Sequence, residues 1–216
     1  MACDIRDERI GEQMRKILFL LVVGLTLLSA ATTPGIIHFV FDNGVVTTSG
    51  EDTFYEFDIQ AYISGTTRPE DLLLGTANIY VQYDTGLFGS SIAGTSGLVV
   101  TKTGILGNYV IPDVIAEYNL LTTNNTFADV FALTPEASTP SAPSYYDPIS
   151  TDAENPSDLF HIKLKAKASG SGSVSFASAA RIANLNDQFR TLANDQYQGP
   201  VDLSAASEPV YIEGPI

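Results

Sequence analysis

Several groups of residues have the types and spacings that chemistry needs. Asp84-Thr85-Gly86 matches the aspartic-protease triplet, whose chemistry runs on two carboxylates sharing one proton. A single triplet needs a second copy to supply the partner acid. The plainer reading is a turn closing the preceding strand, with Asp and Gly as turn formers. Glu56 and Asp58 stand two apart on an alternating stretch. That places them on one side of a strand about 7 Å apart, within the roughly 5–9 Å used in glycoside hydrolysis. Adjacent acids on an exposed strand equally make a solvated face. His38 and His161 are the two histidines, and His161 falls on the polar side of its strand beside Lys163. Neither a Gly-x-Ser-x-Gly elbow nor a two-histidine metal motif occurs.

Oxygen ligands at short spacing suit calcium. Asp152, Glu154, Asn155 and Asp158 form such a cluster, a candidate structural calcium site, although they lack the Asp-x-Asp-x-Asp-Gly register. Asn186, Asp187 and Asp195 are a weaker version. No other cofactor is indicated. Lys163, Lys165 and Lys167, with His161 in line, form a basic stripe on one side of one strand. Three readings stand: protection of a sheet edge, pairing with Glu56 and Asp58 if those strands are neighbours, or reception of an acidic partner. Tyr145-Tyr146 offers aromatic surface for a partner or sugar, as do Tyr62 and Tyr80. Asn124-Asn125-Thr126 has the sequon pattern but reads as a hairpin turn.

The elements that position these residues are strands. Period-two alternation recurs at Tyr55–Ile63, Ala77–Tyr83 and Phe160–Ala168, which predicts half-buried antiparallel strands. Further strands are expected at Ile36–Phe41, Leu98–Thr101, Tyr118–Thr122, Phe127–Leu133, Gly172–Ala177 and Pro209–Ile212. Asp42-Asn43-Gly44, Ser49-Gly50, Asn124-Asn125 and Ser169–Gly172 read as the turns between them. About nine short strands predict an all-β fold, an antiparallel β-sandwich or jelly roll. A Pro/Ser-rich stretch over 134–158 reads as one long loop within a single domain.

The 216 residues carry 25 acids against 11 Lys and Arg, a formal charge of −14. Such a surface repels phosphate backbones, which argues against nucleic-acid partners. Residues 17–28 are a short apolar run preceded by Arg15-Lys16 and followed by Ser29-Ala30-Ala31. This is the pattern of a cleaved secretory signal over residues 1–31, too short to span a bilayer, which takes about 20 residues. Translation from Met14 gives a more regular signal than translation from Met1. The expected mature chain starts at Thr32, or at Ala31 if the cut falls one residue earlier. Residues 1–31 hold four acids and four bases, so the mature chain keeps −14 on 21 acids and 7 bases. It is also free of Cys, Met and Trp. The expected location is extracellular or at the cell surface, with no stable membrane insertion after cleavage.

Two blocks carry a family resemblance. The first is FYEFDIQAYISG, LLLGTANIYVQYDTGLFGSS and LVVTKTGIL. The second is YNLLTTNNTFADVFAL, DLFHIKLKAKASGSGSVSF and NLNDQF. Over roughly residues 50–190 the chain resembles cohesin-like β-sandwich domains of bacterial surface proteins exported by the type IX route. The resemblance implies a secreted, non-catalytic binding or scaffold module acting through protein–protein contact, with no catalytic residues to carry over. The alternative is a carbohydrate-binding module for extracellular polysaccharide. Proteins of the resembling kind end in a C-terminal sorting domain. Here the chain stops at Ile216, so it is either a piece of a longer surface protein or a stand-alone secreted subunit.

Overall fold

The structure is a computed structural model, and it describes residues 35–65, 72–107, 109–111, 114–116, 118, 120–137, 147–177, 189–191, 194–197, 201–202 and 207–213. The signal segment and Tyr145-Tyr146 lie outside these residues. Among the described residues no helix is long and apolar enough to cross a membrane.

Alternation along the longest strands builds the first sheet. β1 (Ile36–Ser49) and β2 (Asp52–Ser64) form a hairpin closed at Gly50, which takes the left-handed φ of 64°. β2 also pairs with β10 (Ser157–Lys165), and β10 with β5 (Leu98–Lys102), all antiparallel. β14 (Val201–Asp202) adds to β1 in parallel, giving the order β14-β1-β2-β10-β5. The second sheet contains β3 (Leu74–Ala77), β4 (Ile79–Tyr83), β9 (Val130–Glu136), β11 (Gly170–Phe176), β12 (Phe189–Thr191), β13 (Asn194–Tyr197) and β15 (Ser207–Ile212). Its order is β13-β12-β3-β9-β4-β11-β15, with β8 (Leu120–Phe127) also on β9. β6 (Tyr109–Ile111) and β7 (Val114–Ala116) make a separate pair.

The sheets stack as a β-sandwich around one core. Phe39, Phe57, Ile59 and Ile162 from the first sheet are fully buried in one cluster with Ile79, Val81, Leu133 and Val174 from the second. Burying side chains of this size contributes about 1.5–3 kcal/mol each. Aromatic rings bridge the layers. Phe41 of the first sheet stacks on Phe176 of the second at 4.0 Å between centroids, and Phe39 meets the same ring at 6.3 Å.

Several expected boundaries move. Fifteen strands occur among the described residues rather than about nine. The additional ones are mostly two to four residues long, such as β3, β6, β7 and β12 to β14, too short to show alternation. Asp42-Asn43-Gly44 does not separate strands. It is a bulge inside β1, where the register with β2 shifts between Asp42 and Val45. Asn124-Asn125 lies within β8 rather than at its turn, and the turn falls at Ala128-Asp129 instead. Tyr83 N–H donates to the Asp129 carbonyl at 3.0 Å, and Ser91 N–H to the Ala128 carbonyl at 2.7 Å. The loop expected over 134–158 is shorter, because Thr134–Glu136 closes β9 and Ser157-Asp158 opens β10. Its later half is docked: Ile149 is buried, its N–H donates to the Leu72 carbonyl, and the Ser150 carbonyl accepts from Ile63.

Phe176→Ala removes the ring that both Phe39 and Phe41 touch across the sandwich. The expected loss is about 3–5 kcal/mol, measured by urea denaturation. A loss below about 1 kcal/mol would contradict the inter-sheet contact.

Candidate functional site

β2 and β10 lie side by side in a register that places Asp58 opposite His161 and Glu56 opposite Lys163. Both strands alternate, so Phe57, Ile59, Ile162 and Leu164 turn inward while the charged residues share the outer face. Directly opposed side chains in an antiparallel pair are close enough to bond. His161 Nδ1 is 2.7 Å from Asp58 Oδ1, and its Nε2 is 2.9 Å from Glu56 Oε2. Lys163 Nζ meets the same Glu56 oxygen at 2.9 Å, and Lys165 Nζ meets Asp52 at 2.5 Å. Of the three readings of the basic stripe, the geometry matches pairing with β2. Lys167 departs from the stripe. β10 ends at Lys165, and the Lys167 N–H donates to the Leu87 carbonyl at 2.6 Å as the chain leaves for the other sheet.

β1 supplies two further donors, one within its bulge and one beyond it. Asn43 Nδ2 donates to Asp58 Oδ2 at 2.8 Å, and the Thr47 hydroxyl donates to Glu56 Oε1. Asn43 holds a left-handed φ of 57°, a conformation Asn accepts better than most residues. Gly44 follows because a Cβ there would run into the Tyr55 hydroxyl.

Glu56 is the one buried charged residue among the described residues, 9% exposed. Burial pushes its pKa up, but hydrogen bonds from Thr47, Lys163 and His161 outweigh that and hold it down to about 2. A carboxyl that stays ionised is no general acid near neutral pH, which is the role paired-acid glycoside hydrolysis requires of one member. His161 is equally committed. Its two nitrogens point at different carboxylates, so Asp58 and Glu56 cannot gather with one ring nitrogen around a single ion. What the arrangement does is tie three strands together on one face.

The other candidates have local roles. Asp84 caps α1 (Thr85–Phe88): its Oδ1 accepts from Gly86 N–H at 2.7 Å and Leu87 N–H at 3.3 Å. His38 stacks flat on Tyr62 at 4.4 Å, and its Nε2 lies 2.7 Å from Ser64 Oγ. Tyr80 is buried with Val130, Ala132 and Ala177 and offers no sugar platform. In the acidic loop, Asp152 is used by its own turn, accepting from Glu154 N–H and from Asn155 Nδ2, while Asp158 accepts from Gln60. Among the described residues no three His, Cys, Asp or Glu side chains come together as an ion site. Asn125 forks onto the Ala93 backbone, accepting from its N–H at 2.8 Å and donating to its carbonyl at 3.1 Å. Asn186 and Asp187 lie outside the described residues, and Asp195 falls in β13.

The sequence reading passed over the β11–β15 face of the second sheet. Ser171 opposes Tyr211, Ser173 opposes Pro209 and Ser175 opposes Ser207, with Gln82 of β4 on the far side of Ser175. None of these seven residues is charged. Tyr211 is 63% exposed, while Val210 and Ile212 beside it are buried. The signal was present in the alternation of Pro209–Ile212, which already sets Tyr211 opposite to its apolar neighbours.

Glu56 has a depressed pKa in the folded chain. Its contribution to stability is therefore complete above its ordinary value of 4.5 and is lost as pH falls toward 2. Glu56→Gln is expected to lower stability at pH 6 by on the order of 2 kcal/mol and to flatten part of the acid limb. Urea denaturation from pH 6 to pH 2.5 checks this. Parallel acid limbs for the two proteins would contradict it.

No family model matches the chain, and no curated protein matches it. Among solved structures it is similar to the second type II cohesin module of the ScaA scaffoldin of Acetivibrio cellulolyticus. The identity is 12% and the TM-score 0.47, over 84% of this chain and 98% of that one. The same module with its long C-terminal linker gives 13% identity and a TM-score of 0.49, over 84% and 92%. A cohesin module from a Clostridium perfringens family 33 glycoside hydrolase gives 13% and 0.41, over 84% and 98%. Scores below 0.5 at such identity assign neither partner nor activity to this chain.

Proposed function

We propose that the chain is an exported, non-catalytic β-sandwich module that binds a partner protein through the outer face of β11 and β15. One observation carries this reading: in a protein of net charge −14, that face presents serines, Pro209 and an exposed Tyr211 with no charge among them. Interfaces of this kind are depleted of charge at their centre and enriched in Tyr. Flat strands with small hydroxyl side chains let a partner approach closely and hydrogen-bond. The first sheet offers the opposite, a face whose charges are engaged with one another. The signal-like residues 1–31 and the resemblance of residues 50–190 support export and scaffolding at the cell surface.

Carbohydrate binding is the second reading, and Tyr211 favours it, because an exposed ring beside a serine can stack on a sugar while the hydroxyl bonds it. Both readings use the same patch, so one experiment separates them. The chain from Thr32 is immobilised as wild type, Tyr211→Ala and Ser173→Glu. It is then challenged with proteins secreted by the source cells and with a panel of soluble polysaccharides. The expected result is a protein retained by the wild type, with retention reduced at least about tenfold, the 1.4 kcal/mol scale of one hot-spot side chain, in both variants. Retention of a polysaccharide with the same loss would favour the second reading. Protein binding that is equal in all three would contradict this face.

A further inference from the structure

His161 stands where β2, β10 and the β1 bulge meet. A neutral imidazole carries one N–H, and its other nitrogen has only a lone pair. Here both ring nitrogens face carboxylate oxygens, Asp58 at 2.7 Å and Glu56 at 2.9 Å. Only the doubly protonated ring satisfies both contacts. Removing one proton turns one of them into a lone pair set against a carboxylate. Those two carboxylates are also the anchors of β1, since Asp58 accepts from Asn43 within the bulge and Glu56 from Thr47 beyond it.

The carboxylates around the ring favour its charged form, and the Lys163 ammonium opposes it. β2 contributes Glu56 and Asp58, and His161's own strand contributes Lys163, which is bonded to Glu56. The residue opposite on β5 is Thr101, which is uncharged, and Asp42 of β1 stands opposite Asp58. Beyond the bulge, Val45 and Val46 are 50% and 40% exposed. The side chains here bury little, and the ladder to β2 is interrupted between Asp42 and Val45, so polar anchors matter more at the bulge than elsewhere in the sheet.

We infer that His161 is a proton-operated latch, holding the Asp42–Val45 bulge of β1 to the sheet while the ring is doubly protonated and releasing it once the ring is neutral. Burial lowers the pKa of the ring, but the hydrogen bonds to Asp58 and Glu56 and their charges raise it above the ordinary 6.5. A raised folded value means that the contribution is complete below 6.5 and is lost as pH rises through the folded value. Glu56 sets the other limit, its part being complete above 4.5. The latch is therefore fully closed between those two values. Above them the face also gains one net negative charge. This device is independent of the β11–β15 face and holds whether or not that face binds a partner.

The test is an imidazole NMR titration of the wild-type chain from pH 5.5 to 9, with His161 identified by its disappearance in His161→Gln. Amide-exchange protection of residues 43–47, corrected for intrinsic exchange, is followed over the same range. His161 is expected to titrate above the histidine of the urea-unfolded chain. Protection at residues 43–47 should fall along the same curve, by up to about tenfold for each unit of the upward displacement. His161→Gln should show low protection there with no such step, and Asp58→Asn should lower the titration midpoint of His161. A His161 midpoint at or below the unfolded value would overturn the latch. So would the same pH profile of protection in wild type and His161→Gln.

Discussion

The register between β2 and β10 is the constraint on which the rest of the first sheet depends. It sets Asp58 against His161 and Glu56 against Lys163 on the outer face, and by the same alternation it sets Phe57 and Ile162 into the core. A slip of one residue would turn every one of these side chains to the wrong side. Glu56 would then face the core and Phe57 the solvent. The ionic contacts alone are modest, since partly exposed pairs contribute about 0–1 kcal/mol each. Their weight lies in what the wrong register costs. A carboxylate as buried as Glu56 is tolerable only with its donors in place, and Lys163 and His161 are in reach only in this pairing.

The two outer faces differ in charge. The first spends its charges on itself: Lys165 on Asp52, Lys163 on Glu56, His161 on Glu56 and Asp58. Such a face locks three strands and leaves little unsatisfied potential for a ligand. The second presents serines, Pro209 and the exposed Tyr211 from β11 and β15, with the Asp129 carboxylate bonded to Gln82 at its β4 border. A module with 21 acids in its expected mature chain keeps its distance from most anionic surfaces. An uncharged patch is where a partner can approach without desolvating ions.

Much of this was legible in the residues, for a physical reason. The alternation of Tyr55–Ile63 and Phe160–Ala168 reports which side of a strand meets the core, and that indicates both the fold class and the candidate pairing of the lysines with Glu56 and Asp58, although β10 ends at Lys165. Asp84 read as a turn former and is an N-cap, the same local hydrogen bonding in a slightly different place. What failed was long-range or very local. Asn43-Gly44 carries a strong turn signal, yet it becomes a bulge because Asp58 and Tyr55 on the neighbouring strand hold it there. Asn125 looked like a turn residue because nothing in its own segment shows that Ala93 waits across the sandwich edge. Tyr211 belongs to no charged or paired motif, so only the alternation of Pro209–Ile212 marks it as outward-facing.

A double-mutant cycle on Glu56 and Lys163 tests the β2–β10 register most directly. Glu56→Gln, Lys163→Met and the double variant are unfolded in urea at pH 6, inside the range where Glu56 and His161 are both charged in this structure. The expected coupling is about 0.5–1 kcal/mol, where the range for contacting residues meets that for partly exposed ion pairs. Additive losses, within about 0.3 kcal/mol, would mean that the two side chains do not meet and that β2 and β10 pair in another register.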